Sequence, residues 1–93
     1  RDPVEAAHWL LAAARQGEPR SQHTLGALCY EGLGVAQDDG QALFWLTLSA
    51  ANTPDALQPH LQAILAEVTS RLSPAEQEGI HKQVALWQPQ VQV

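Results

Sequence analysis

The sequence predicts an all-α fold: antiparallel helix-hairpin repeats stacked as a right-handed α-solenoid fragment that ends in a C-terminal capping helix pair. Three observations lead there. A tryptophan-centred pattern occurs twice in register, with Ala6, Trp9, Leu10 and Ala14 answered 36 residues later by Ala42, Trp45, Leu46 and Ala50. In each copy the matched residues fall at i, i+3, i+4 and i+8, which is one stripe of a helix and not the alternation of a strand. Between the copies lies a further helical pattern closed by Gly32 and Gly34, residues that punctuate helices.

The first helix is predicted over 3–16, with Asp2 placed to cap its free N–H groups and Gly17 to end it in a left-handed conformation. The second is predicted over 19–31. Pro19 suits a first turn, and Ser21, Leu25, Leu28 and Cys29 share one face before the turn Gly32-Leu33-Gly34-Val35. The third, over 38–51, starts at Asp38 and ends near Asn52. Two such helices around a glycine turn make a hairpin that cannot bury its apolar stripe alone and must stack on neighbours.

Past residue 52 the pattern changes. Shifting Leu25 and Leu28 by the repeat period lands on Leu61 and Ile64, but the glycines map to Gln62, Val68 and Ser70, so the glycine turn is absent. Leu57, Leu61, Ile64, Leu65, Val68 and Leu72 instead predict one longer helix, over 59–72, starting at Pro59 because an interior proline would break it. Ser73-Pro74-Ala75-Glu76 is a capping box with Pro in the first helical position, and it opens a helix over 74–87 with Ile80, Val84 and Trp87 on its apolar face. Pro89 stops that helix.

Leu25, Gly26, Gly32, Gly34, Val35, Asp38, Ala42, Trp45, Ser49 and Ala50 occupy the positions of a known pattern, A-x-x-x-L-G-x-x-Y-x-x-G-x-G-V followed by x-x-D-x-x-x-A-x-x-W-x-x-x-A-A. In these residues the chain resembles the Sel-one-like repeat, an α-helical class related to tetratricopeptide repeats. The resemblance implies a single helical-repeat domain over 1–93. Residues 1–17 would be the second helix of a truncated repeat, 18–52 a complete repeat, 53–88 a degenerate capping unit and 89–93 a tail. The repeat positions are Ala6, Trp9, Leu25, Gly26, Gly32, Gly34, Ala42 and Trp45. Cys29 departs from the pattern, standing where the family has Tyr, with Tyr30 one place later. Ser21 and Ser49 replace alanines, an exchange expected to loosen one packing site.

Composition narrows the function. The chain has 93 residues, 45% of them hydrophobic and 16% charged, which places it among small globular domains rather than disordered chains. Its net charge of -5 repels phosphate backbones and anionic lipid, so nucleic acid is not expected as a partner. No apolar run approaches the ~18 residues of a membrane span, so membrane insertion is not expected either. One cysteine cannot form an internal disulfide. The chain reads as soluble, either cytoplasmic or periplasmic/secreted after removal of a signal peptide. It contains no methionine, even at position 1, and is expected to be a fragment or a processed product.

Most chemistry-bearing residues have structural explanations. Trp9 and Trp45 lie on apolar stripes and are expected in the core, whereas Trp87 either seals the cap or lies partly exposed, the core being favoured because it continues the Ile80–Val84 stripe. Gly26 reads as a close-approach position, and Gly32 with Gly34 as a turn, since they lack a phosphate-loop context. His8, His23, His60 and His81 have no metal-ligand spacing, Cys29 reads as an inert small hydrophobe, and no cofactor is expected. Asp38-Asp39 and Glu76/Glu78 sit near helix starts, where the dipole favours them. No acid, base and nucleophile form a catalytic constellation, so no enzyme is expected.

What remains is a face. In the related repeats the first helix of each hairpin lines the concave side, and the resemblance would place Arg20, His23, Ala27, Tyr30 and Glu31 there, with an exposed Tyr near Arg as a recognition hot spot. The family implies a noncatalytic protein–protein scaffold or adaptor, often bacterial, that binds a protein or peptide. The alternatives are self-association through the uncovered flank of the helix over 3–16 and service as an accessory domain of a larger protein.

Overall fold

The computed structural model describes residues 3–52 and 58–88. Asp2, Leu57, Pro89 and the rest of the tail lie outside the described residues, as do the side chains of Asn52 and His60. Five helices follow in order: α1 (Pro3–Arg15), α2 (Pro19–Glu31), α3 (Asp39–Asn52), α4 (Gln58–Ser70) and α5 (Pro74–Leu86). Among the described residues there is no strand.

Local chemistry explains the boundaries. Pro19 starts α2 because its missing N–H would have no partner in the first turn. Gly32 ends α2 in the left-handed region, at φ 72°, and its N–H donates to the Leu28 carbonyl. Asp38 caps α3 by accepting from the Gln41 N–H at 3.0 Å. At α5 the capping box forms in both directions, with Ser73 N–H donating to Glu76 Oε1 at 3.0 Å and Glu76 N–H donating to Ser73 Oγ at 3.2 Å.

The closed unit is the α2–α3 hairpin. At one end the Asp38 N–H donates to the Cys29 carbonyl at 2.9 Å; at the other, Ser49 Oγ donates to the Pro19 carbonyl at 2.8 Å, so the helices run antiparallel. Midway they approach closely. A Cβ on Gly26 would stand 2.7 Å from Leu46 Cγ and 3.3 Å from the Ala42 carbonyl oxygen, so only glycine fits without displacement. The two serines that replace alanines are buried and hydrogen-bonded: Ser49 Oγ donates to the Pro19 carbonyl, and Ser21 Oγ donates to the Glu18 carboxylate beside it.

α3 is the centre of the molecule. It packs against α2, α4 and α5, which buries Ala42, Leu43, Trp45, Leu46, Leu48 and Ser49 in several directions around one helix. Leu61 and Val68 of α4 complete the core. Val68 stands where the repeat has Gly32, and α4 therefore continues through it to Ser70 instead of turning. Trp87 meets Trp45 edge-to-face, with ring centroids 6.5 Å apart, and so seals α5 onto α3.

Trp9 corrects the sequence expectation. Its side chain is 71% exposed, whereas Trp45 at the matching repeat position is 6% exposed. α1 packs chiefly on α2, burying Ala7 and Ala14. At about 100° per residue, Trp9 points to the opposite side of the helix from those alanines. No described helix covers that side.

Candidate protein-interaction face

α2 presents two contrasting sides. Ser21, Gln22, Leu25, Gly26 and Cys29 are buried. On the other side Arg20 and Glu31 are exposed, and His23, Ala27 and Tyr30 are half-buried. The helix is held against α1 by Gln22, whose Nε2 donates to the Ala14 carbonyl at 3.0 Å. Nothing in the sequence marks Gln22 for this role, because a single polar residue beside a serine carries no periodic signal.

The structure separates Tyr30 from its expected cation. Arg20 lies ten residues away along α2, about 15 Å at the helical rise of ~1.5 Å per residue. The arginine beside Tyr30 is Arg71, which follows α4. Its guanidinium carbon lies 4.4 Å from the ring centroid, and Nη2 donates to the phenol oxygen at 3.2 Å. The same guanidinium pairs with Asp39 at 3.5 Å and Glu67 at 3.7 Å. Tyr30 O–H donates to Glu67 Oε1 at 3.3 Å, and Gln37 Nε2 donates to Asp39 Oδ1 at 2.7 Å.

Arg71 thus ties α2, α3 and the end of α4 at one point. Each contact is weak. Exposed ion pairs contribute roughly 0–1 kcal/mol and an exposed cation–π contact ~0.5–1 kcal/mol, so the cluster orients α4 more than it stabilises the fold. Glu67 and Arg71 are an i,i+4 pair, but no local spacing in the sequence joins them to Tyr30 and Asp39. The one usable signal was charge: Arg71 is among only five basic residues in an acidic protein.

A concavity lies between α4 and α5, above α3. It is a shallow hollow open to solvent, lined by Leu43, Thr47, Gln62, Leu65, Gln77 and His81 among others. α4 and α5 make few direct contacts, because each rests on α3. The repeat period explains the gap: the counterpart of Gly26 is Gln62, and that of Leu46 is Lys82. The glycine–leucine contact that closes the α2–α3 hairpin therefore has no equivalent between α4 and α5. Gln77 spans the turn, with Nε2 donating to the carbonyls of Thr69 at 3.1 Å and Leu72 at 2.9 Å.

Cys29 has the environment of a packing residue. Burial, and after it the nearby Asp38 carboxylate, pushes its thiol pKa above the ordinary value, which disfavours the nucleophilic thiolate. Among the described residues no group of three or more His, Cys, Asp or Glu side chains is arranged to hold a metal ion. No helix among them is long and apolar enough to cross a membrane.

The family model of the Sel1 repeat matches residues 1–18 and 19–53, more than half of the chain. The chain belongs to the Sel1 repeat family. Sel1 repeats are noncatalytic modules of the tetratricopeptide-like helical superfamily, and they mediate protein–protein interactions. No curated protein and no solved structure matches the chain. Within the second Sel1 match, Gly26 and Ser49 make contacts that close the hairpin, while Trp45 carries the contact of α3 with Trp87. The first match holds α1, whose tryptophan faces outward.

Proposed function

We propose that this Sel1 repeat protein is a noncatalytic scaffold or adaptor that binds a peptide or protein segment along the α2 face formed by Arg20, His23, Ala27, Tyr30 and Glu31. One observation carries the reading: these five side chains share the side of α2 opposite its buried stripe, on a helix made rigid by α1 and α3. A partner docking there meets side chains at helical spacing, with little ordering cost on the scaffold side. Arg71 joins the face as the cation above Tyr30. α4 and α5 act as the cap of the unit. In support, α5 buries none of its residues fully and carries the exposed Glu78–Lys82 ion pair at 3.6 Å.

The test is affinity capture from the native source, identification of the captured protein, and calorimetric titration of that protein with purified variants. Arg20→Glu and Ala27→Arg are expected to weaken binding at least about tenfold, as central contacts do. Lys82→Glu, on α5, should leave it unchanged. A partner that binds all three variants equally well sinks the assignment of the face.

A further inference from the structure

The outward side of α1 carries a second surface. Glu5, Trp9, Ala12 and Gln16 follow one another at intervals of four, three and four residues, and all four are exposed. Residues so spaced line one side of the helix as a seam, here with Trp9 and Ala12 as its apolar middle between polar ends. The seam alternates large and small, Trp9 beside Ala12. Its charges are polarised along the axis, with Glu5 in the first turn and Arg15 in the last.

We infer that this seam docks antiparallel on the same seam of a second copy of the chain, each Trp9 seated over Ala12 of the other copy. The pattern is complementary to itself. Reversing the helix sets residue 9 against residue 12 and residue 5 against residue 16, so each indole meets a methyl-sized space. It also brings each Glu5 beside Arg15 of the second copy, opposite charges at both ends, and opposes the two helix dipoles favourably. A parallel pairing would stack indole on indole and like charge on like charge. The contact is isologous, as a two-fold dimer requires.

The surface differs from the one a hairpin partner uses. α2 meets α3 along Ala42, Leu46 and Ser49, whose counterparts in α1 are Ala6, Leu10 and Ala13. A first helix packed on α1 in the manner of α2 on α3 would lie along those three residues and leave Trp9 open. The crossing is short, with 13 residues in α1, and falls below the ~1,200–2,000 Å² of a standard stable interface. A weak, concentration-dependent dimer is therefore expected.

Sedimentation velocity and light scattering on this 93-residue chain, over a wide concentration range, decide the matter. The wild type should dimerise reversibly, and Trp9→Ala, with helicity checked by circular dichroism, should weaken association about tenfold or more as loss of a central aromatic does. Glu5→Arg and Arg15→Glu should each weaken self-association when alone. An equimolar mixture of the two should recover it, because both end pairs then become attractive. A chain that stays monomeric at every concentration overturns the proposal. So does a dimer that survives Trp9→Ala but is lost in Ala6→Arg, which would place the contact on the other side of α1. A mixture that associates no better than its components overturns the antiparallel arrangement.

Discussion

Trp9 and Trp45 occupy the same repeat register, on helices of similar length, with alanine three residues before and leucine one residue after. Yet one is largely exposed and the other buried beneath Phe44 and Trp87, whose ring centroids lie 4.9 and 6.5 Å from its own. The difference lies in the neighbours. α3 is packed by three helices, whereas α1 is packed chiefly by α2. A repeat position therefore specifies which side of a helix a residue takes, and the number of helices around it specifies whether that side is dry.

The largest expected effect comes from deleting the buried member of the pair. Trp45→Ala should cost about 3–5 kcal/mol in urea unfolding, the range for a buried aromatic cut to alanine, while Trp9→Ala should change monomer stability by less than ~0.5 kcal/mol. Equal losses at both sites would abolish the contrast. Gly26→Ala tests the tightness of the closed hairpin. Its Cβ would press on Leu46 and the Ala42 carbonyl, and unfolding should show a loss of about 1–3 kcal/mol from overpacking.

Gly79→Ala is the converse. Beyond its own stretch of helix nothing lies within 4 Å of where that Cβ would go, and the residue is inside α5, so helix propensity should raise stability by roughly 0.5–1 kcal/mol. A loss there would mean that α5 has a neighbour on that side. The smallest effect concerns acid. Glu76 has its carboxyl pKa lowered by the backbone bond from Ser73, and next by the Ser73 side chain. Its contribution is complete above the ordinary value of 4.5 and is lost as pH falls through the depressed folded value. Amide exchange should then quicken in the first turn of α5 and leave the α2–α3 hairpin unaffected. Uniform quickening in both regions would show that the loss is global.

Much of the architecture was legible because helix starts, stops and periodicity are local. Pro19, Gly32, Asp38 and the Ser73 capping box act on backbone groups within one turn, and the helices they bound stand within two residues of where the sequence places them. The candidate face was legible in part. Its α2 side chains share a side by periodicity, but the arginine over Tyr30 is Arg71, which is 41 residues away in sequence and arrives only through the packing of α4 on α3.

By itself, the sequence determined five helices, their order, the glycine that lets α2 approach α3, and membership in a repeat class, since these follow from backbone chemistry and spacing along the chain. The tertiary structure alone decided that Trp9 faces solvent, that Arg71 gathers Tyr30, Asp39 and Glu67, and that a groove opens between α4 and α5. Burial and charge pairing depend on which helices meet and at what distance, and no window of neighbouring residues contains that information.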